Sequence, residues 1–514
     1  MVISSSICCA SLSKLFNNSD SKIKENFKYY LRQCLVSLIP IISTIATGMT
    51  MGYSAILLPQ LQSINGSSGA VGFNGSLTRN SVSLTITSTN EESWIAASSI
   101  LAMAPGCWVS SILMDKFGRK MTFILINPIF TLGWTIVGVT TKLMPLIFGR
   151  LLCGFGAGLL SATSPVYIAE ISDPHLRGIL LASLSCAVTF GILVTHILGT
   201  WLHWQLTAHL CSIISILCFA LSYFMPESPN WLLQNGNHQS AFEVWYFLRG
   251  NTSSEEFESN CRSRNDNNNN NNNNNTNNNS NNARGNSISA WYDKYLTRLF
   301  FSPLVIVCVF AFTSQFSGIN VVAFYCVTLL TEVSGPENAY LATLVLDVAR
   351  VACSIVACWM ISMYPRRLLT SISGFGTAMT LFALSACLLA DYGKPWLPIV
   401  LLFIYTCTVT IGLVPLPWLL CGELFTDTTT RAFGSALSSS FAFFCFFVAV
   451  KTGPIVMDVL LSQDTFAIYG LIALLGTVIL YVWLPETKDK TLEDIKSVFV
   501  KKTNNENLTE TTRC

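Results

Sequence analysis

Residues 93–120 read SWIAASSILAMAPGCWVSSILMDKFGRK, and this stretch contains the two features that decide the fold. Residues 93–114 carry no charged side chain and exceed the roughly 20 residues with which an α-helix crosses a bilayer. Residues 115–120 then place an aspartate and three basic side chains at the end of that helix. Because basic loops stay on the cytosolic side of a membrane, the stretch predicts a spanning helix that ends in the cytosol.

Eleven more apolar stretches follow the same pattern, and the composition fits a membrane protein. Hydrophobic residues make up 51% of the chain, charged residues only 11%, and the mean hydropathy is +0.50. Soluble domains carry about 25% charged residues. We predict an all-α membrane protein with twelve transmembrane helices in two pseudo-symmetric six-helix bundles. The predicted spans are 35–58, 93–114, 121–141, 144–168, 179–201, 205–225, 301–330, 338–362, 367–390, 396–420, 431–455 and 465–484.

These spans divide the chain into five predicted regions. Two bundles are flanked and separated by polar segments: tail 1–34, bundle 35–225, linker 226–300, bundle 301–484 and tail 485–514. Lysine and arginine concentrate in both tails, which places both termini in the cytosol. The linker contains an asparagine-rich tract with no apolar face to bury, so we expect disorder there. The tract is either a neutral repeat expansion or a regulatory linker.

Several residue patterns bear on modification and cofactors. Asn65 and Asn74, in the predicted outer loop 59–92, each begin an N-glycosylation sequon. The 18 cysteines scatter through the spans without metal-ligand spacing, so we predict no metal site. No phosphate-binding glycine loop occurs, and the net charge of +2 indicates no nucleic-acid partner. We therefore expect no cofactor, no nucleotide and no nucleic acid, and without a nucleophile–base set no enzyme activity.

Polar signatures recur at matching places in the two halves. Asp115-Lys-Phe-Gly-Arg-Lys120 follows the second span and Tyr364-Pro-Arg-Arg367 the eighth, and Pro226-Glu-Ser-Pro229 matches Pro485-Glu-Thr487. Two bundles with acids and bases at their cytosolic ends indicate a rocking transporter with substrate held between the halves. The charges would form ion pairs that hold the cytosolic side shut; alternatively, they only set topology. The predicted gate residues are Asp115, Arg119, Glu170, Arg177, Glu227, Arg366, Glu423, Arg431 and Glu486.

These motifs resemble the sugar-porter branch of the major facilitator superfamily. The resemblance also includes Gly149-Arg150, Pro165-Val-Tyr-Ile-Ala-Glu170 and Ser317-Gly-Ile-Asn320, and it covers nearly all of residues 35–500. Ser93-Trp94-Ile95 and Lys451 are similar to insect facilitated trehalose-transporter-like members. The resemblance implies the major facilitator fold, a sugar substrate, a plasma-membrane location and a helical subdomain within 226–300.

A break in the seventh span predicts a substrate site. Gln315 and Asn320 flank Ser317-Gly318, and polar, glycine-containing backbone at membrane depth is tolerated where it lines a cavity. Both amides donate and accept hydrogen bonds, which suits sugar hydroxyls. The tenth span bends at two prolines and presents the Trp418 indole, which could pack on a sugar ring or only on its neighbours.

In sugar porters the positions of Gln315, Asn320 and Trp418 contact the sugar. Other positions differ from the family pattern, because Ser314, Ser185 and Thr410 replace amide or acidic ligands. The ligands of the eleventh span become Phe441, Ala442 and Cys445. Each lost hydrogen bond costs about 1 kcal/mol. The resemblance therefore implies a larger, less polar pocket, for a disaccharide, a polyol or a less hydroxylated substrate rather than glucose.

Charged residues inside spans are costly and often functional. Asp347 and Arg350 can pair at i, i+3 in the eighth span, either as a neutral internal pair or with Arg350 reaching the cavity to recognise a polar or anionic ligand. His196 is predicted to be a hydrogen-bonded packing residue, with a proton shuttle as the alternative, and Lys451 is predicted to snorkel. Arg150 and its neighbouring glycines indicate close helix packing.

The first span bears on whether transport is coupled to protons. Proton-coupled sugar porters often carry an aspartate after a Gly-Tyr pair in the first span, whereas Ser54 follows Gly52-Tyr53 here. We therefore predict facilitated diffusion of a sugar, with the substrate and the lipid bilayer as partners. The alternative is a non-transporting sugar sensor or degenerate carrier, because Tyr364-Pro365 lacks the usual acid and glycine.

Overall fold

The computed structural model describes residues 3–62, 89–250, 298–324, 336–390, 396–425 and 428–488, with 490, 494 and 497. The predicted glycosylation sites Asn65 and Asn74 and the asparagine-rich tract lie outside these residues. Within them, all regular secondary structure is helical. The helices are α1 (Ile3–Gln62), α2 (Thr89–Val139), α3 (Leu143–Ile171), α4 (Pro174–Trp201), α5 (Trp204–Ser222), α6 (Pro229–Gln234), α7 (His238–Arg249), α8 (Arg298–Gln315), α9 (Ile319–Phe324), α10 (Pro336–Met363), α11 (Arg366–Leu389), α12 (Trp396–Ile411), α13 (Pro415–Glu423) and α14 (Thr428–Trp483).

The described helices account for the twelve predicted crossings. Ten helical stretches are long and apolar enough to span a membrane, and one of them, Ser93–Val139, is divided at Gly118 by a non-helical backbone with φ +84°. The seventh crossing consists of α8 and α9, which are separated by a break. The protein is therefore an all-α integral membrane protein with two six-helix halves.

Close helix contacts hold the first half together. A Cβ at Gly158 would collide with the carbonyl oxygen of Met103, and one at Gly154 with that of Ser99. Small residues let helix backbones approach this closely. Helices in a bilayer associate through such van der Waals contacts, because lipid tails give no hydrophobic driving force for association. The predicted packing role of the glycines in α3 is confirmed.

Two short helices follow the first bundle and pack on its end. The Ser228 hydroxyl caps α6 by accepting a hydrogen bond from the Trp231 amide. The apolar faces of α6 and α7 meet in a small core of Leu232, Leu233, Ala241 and Trp245. Arg249, at the end of α7, pairs with Asp173 at 3.0 Å and ties these helices to the start of α4.

Candidate substrate cavity and ion-pair clusters

Two breaks in the helices shape the space between the halves. Between α8 and α9, Gly318 has φ +88°, a conformation that glycine adopts without strain. The Tyr405 hydroxyl donates to the freed carbonyl of Ser317 at 2.8 Å. The predicted unwinding at Gly318 is confirmed.

The second break separates α12 from α13. There the Ser373 hydroxyl accepts from the Leu413 amide at 3.0 Å and donates to the Thr408 carbonyl at 2.7 Å. A neighbouring helix thus satisfies backbone groups that the α12 break would otherwise leave unpaired in an apolar medium. Pro415 then begins α13, which carries Trp418, so the predicted bend is confirmed.

These breaks border a cavity lined by both halves. Together with the open solvent at its mouth it encloses about 910 Å³. Its walls come from α1, α3 and α4 on one side and from α8, α9, α10, α12, α13 and α14 on the other. All six predicted substrate-binding residues lie in this wall: Ser185, Ser314, Gln315, Asn320, Thr410 and Trp418.

The eleventh span lines the cavity with residues other than those predicted. Phe441, Ala442 and Cys445 do not line it, whereas Phe443 and Phe446 do. Phe441 is 37% exposed on the outside of the bundle. The prediction was wrong because matching positions to the family pattern did not fix the rotation of this helix. Only packing fixes which face of α14 turns inward.

Some polar groups in the cavity wall have no partner within the described residues. The hydroxyls of Thr47 and Ser185 and the Nε of Arg350 are buried without a hydrogen bond. In contrast, the Thr410 hydroxyl is satisfied by the Thr406 carbonyl at 2.6 Å, and the Asn320 amide donates to the Gln315 side-chain oxygen. Buried polar groups that lack partners are costly unless a ligand or water satisfies them.

A buried charge cluster adjoins the cavity. The predicted pair of Asp347 and Arg350 is present, with Oδ1 and NH1 3.8 Å apart. Asp347 has a closer partner that the sequence did not reveal, since its Oδ2 contacts Nδ1 of His196 on α4. His196 is hydrogen-bonded as predicted, but it joins the two halves, and sequence spacing cannot show contacts between distant spans.

A second buried arginine lies within the first half. Arg150 donates to the hydroxyls of Ser54 and Ser99, the latter at 3.0 Å, and to the Thr50 carbonyl at 3.4 Å. In the described part of the chain, no carboxylate oxygen lies within 4.0 Å of the Arg150 guanidinium, which is the limit for a salt bridge. Ser54 thus occupies the place beside Arg150 where an aspartate could pair with it.

At one end of the first half, the acids and bases form a cluster that we call the Glu170 cluster. Glu170 pairs with Arg119 at 2.7 Å and accepts from the Ser228 hydroxyl at 2.6 Å. Glu227 accepts from the backbone amides of Arg119 at 2.8 Å and Lys120 at 3.1 Å. Burial raises the pKa of Glu227, which these donors partly offset.

The second half repeats this arrangement in what we call the Glu423 cluster. Glu423 pairs with Arg366 at 3.1 Å and accepts from the Thr487 hydroxyl at 2.6 Å. Glu486 accepts from the backbone amides of Arg366 at 3.0 Å and Arg367 at 3.3 Å. The motifs that repeat in the sequence therefore make the same hydrogen bonds and ion pair in each of the two halves.

Both ion pairs lie within a half rather than between halves. Packing is one of the contacts between the halves at this end. The Arg366 guanidinium lies so close to Gly178 that a Cβ there would sit 2.6 Å from it. Met114 and Val166 of the first half also form a buried cluster with Ala432 of the second.

Arg177 was predicted among the ion-paired gate residues, and the structure shows a different arrangement. Its NH2 donates to the Ser172 carbonyl at 3.5 Å, and its Nε is buried without a partner. Within the described residues it makes no salt bridge, although the charges of Glu423 and Arg431 across the interface act on it. The carboxylate oxygens of Glu170 instead accept from Arg119 and Ser228.

The remaining predicted gate residues lie at the same end. The side chain of Asp115 is exposed, and its backbone carbonyl accepts from the Trp231 indole at 3.2 Å. Arg431 is fully buried and donates from Nε to the Phe425 carbonyl at 2.8 Å.

Lys451 lies toward the other end, where it contacts the opposite half. It donates to the Ser93 hydroxyl at 2.6 Å and lies 4.3 Å from the centre of the Trp94 ring. The ammonium therefore makes a cation–π contact with the opposite half, and the predicted snorkelling stays a prediction.

A cavity shared by two similar six-helix halves, with matching ion-pair clusters at one end, defines a membrane transporter of the alternating-access type. The particular family follows from sequence comparison. The profile described as "Sugar (and other) transporter" matches residues 38–499, and the chain belongs to that family.

Individual proteins that are similar to this chain are also transporters. The Bombyx mori protein "Facilitated trehalose transporter Tret1" is 28% identical over 439 residues, which are 83% of this chain and 83% of that protein. The Aedes aegypti protein of the same name is 27% identical over 412 residues, or 79% of this chain, which spans only 49% of that protein. The proton:xylose symporter XylE of the major facilitator superfamily, bound to 6-bromo-6-deoxy-D-glucose, superposes with a TM-score of 0.75 at 20% identity, covering 92% of this chain and 100% of that one. The predicted fold and family are confirmed.

Proposed function

We propose that the protein is a uniporter that carries a carbohydrate, such as trehalose or a hexose, down its gradient across the plasma membrane. The observation that carries this proposal is the shared cavity, in which amide, hydroxyl and aromatic side chains of both halves converge. Amides and hydroxyls donate and accept, as sugar hydroxyls do, and the Trp418 indole offers an apolar face.

The two halves would expose the cavity to one side of the membrane at a time. The Glu170 and Glu423 clusters keep the end of each half rigid, because their buried charges are paired and hydrogen-bonded. Rigid ends let each half rock as one body around the site. The packing of Arg366 on Gly178 is the contact that separates when this end opens.

Facilitated diffusion, rather than proton symport, is supported by the surroundings of Arg150. Its partners are hydroxyls and a carbonyl, none of which gains or loses charge by titration near neutral pH. A carboxylate in the place of Ser54 could be protonated and released from Arg150 during each cycle, whereas a serine offers no such step.

The proposal also includes the orientation of the protein in the plasma membrane. We place both termini and the two ion-pair clusters in the cytosol, from the excess of basic residues there. The Ser93 end then faces outward, with the sequons of Asn65 and Asn74 in the outer loop.

Radiolabelled uptake in oocytes tests the function. We expect saturable uptake of one of trehalose, glucose or a polyol, unchanged when a protonophore collapses the proton gradient. Asn320→Ala should reduce that uptake, with surface biotinylation as the control for expression. Uptake that disappears with the gradient would refute uniport. No uptake of any carbohydrate by surface-expressed protein would favour the sensor.

A further inference from the structure

Arg350 is the one charged residue among the described residues that line the cavity. It is 7% exposed, and its Nε has no hydrogen-bond partner. Its ion pair with Asp347, at 3.8 Å, is long compared with the 2.7–2.9 Å of a charge-assisted hydrogen bond. Arg350 therefore presents an under-satisfied guanidinium to the substrate space.

The contacts of His196 show why Asp347 does not neutralise Arg350. His196 touches two oxygen atoms, the Asp347 carboxylate through Nδ1 and the Gly52 carbonyl through Nε2 at 3.1 Å. The carbonyl only accepts, so Nε2 carries a proton, and the contact with the carboxylate needs a second one. Whether that second proton lies on nitrogen or on oxygen, the imidazole and carboxylate together have no net charge.

The three groups therefore leave one positive charge, that of Arg350. No other carboxylate of the described residues pairs with it within 4.0 Å. An uncompensated charge in a mostly apolar wall is unfavourable, and it becomes favourable when an anion binds beside it.

We propose that the carbohydrate transported by this protein carries one carboxylate, which binds the Arg350 guanidinium. The inference rests on the proposed function and names sugar acids, the carboxylated relatives of the neutral sugars proposed there, as the preferred substrates. A guanidinium presents its N–H groups as a fork that matches the two oxygens of a carboxylate. A carboxylate supplies the single negative charge that balances the cluster, whereas a phosphate monoester carries about −1.5 to −2.

Uptake by the full-length protein in oocytes tests the inference, with labelled glucuronate compared with glucose. We expect glucuronate to have the higher kcat/KM and to evoke an outward current, because a uniporter that imports an anion moves charge. Arg350→Gln should lower the ratio of kcat/KM for glucuronate to kcat/KM for glucose by about 10- to 100-fold, the value of a charge-assisted hydrogen bond. Lys142→Gln, at an exposed lysine, is the matched control.

A second measurement on the wild-type protein covers the case in which Arg350→Gln does not fold. Unlabelled glucuronate should inhibit glucose uptake at lower concentration than unlabelled glucose does. Weaker inhibition, or glucose uptake without any glucuronate uptake, overturns the inference and leaves the proposed carrier intact. Failure to take up acidic and neutral carbohydrates alike overturns the proposed function itself.

Discussion

Substitution of Glu170 by glutamine tests whether the Glu170 cluster stabilises its half of the molecule. The side chains of Arg119 and Glu170 are 1% and 0% exposed, and their charged atoms lie 2.7 Å apart. Glutamine keeps an oxygen that can accept from Ser228, but it leaves the arginine buried without a counter-charge. Breaking a buried pair in this way costs about 3–5 kcal/mol.

The expected shift follows from the size of the half. A domain of about 150–250 residues loses about 2–4 °C of midpoint temperature per kcal/mol, so Glu170→Gln should lower the unfolding midpoint by about 6 °C or more. Intrinsic-fluorescence melting of the purified protein in detergent, at one heating rate, measures this. Glu243→Gln, at an exposed position on α7, is the matched control and should leave the midpoint unchanged.

The repeat supplies an internal comparison. Glu423→Gln should lower the midpoint similarly, because Glu423 and Arg366 are also buried, at 6% and 5% exposure. The double variant R119M/E170L should recover at least half of the loss, since replacing both charges by apolar groups removes the desolvation penalty. A midpoint for Glu170→Gln within about 2 °C of the Glu243→Gln control would refute the assignment of a stabilising buried pair.

Three further variants test the cavity and the packing. Trp418→Ala should raise the KM for sugar uptake by about 3- to 30-fold through loss of the indole face, and an unchanged KM would remove this residue from the site. Gly318→Ala should lower the free energy of unfolding by about 1–2 kcal/mol because of the positive φ, and its Cβ would also clash with the Tyr469 ring at 2.6 Å. A melting curve like that of the wild type would show that the backbone between α8 and α9 can adopt another conformation. Gly158→Ala should cost about 1–3 kcal/mol by forcing α3 away from Met103, and full stability would mean that α2 and α3 tolerate separation.

Much of the candidate site could be predicted from sequence because its residues interrupt the apolar pattern. Gln315, Gly318 and Asn320 stand out in a helix that must otherwise satisfy its own backbone. The structure brings these residues together with Trp418 at one cavity. Phe443 and Phe446 could not be found in this way, because aromatic residues in an apolar span carry no sign of which face turns inward.

Pairings between distant spans were similarly hidden from the sequence. The repeat of acids and bases correctly located both ion-pair clusters, but not that each pair closes within its own half. The choice of Arg119 rather than Arg177 as the partner of Glu170 depends on which side chain reaches the carboxylate. The distance between these side chains is fixed by helix packing, and it cannot be read from their spacing along the chain.

The sequence by itself determined the twelve spans, the two-half repeat and the polar residues of the seventh and tenth spans, because the bilayer imposes length and polarity on each segment separately. Tertiary structure alone decided how charges on different spans compensate one another. His196 engages the carboxylate of Asp347 and Arg350 is left facing the cavity. The net charge offered to a substrate depends on which groups share protons and contacts in three dimensions, and residues 151 positions apart in the chain meet only when the halves are assembled.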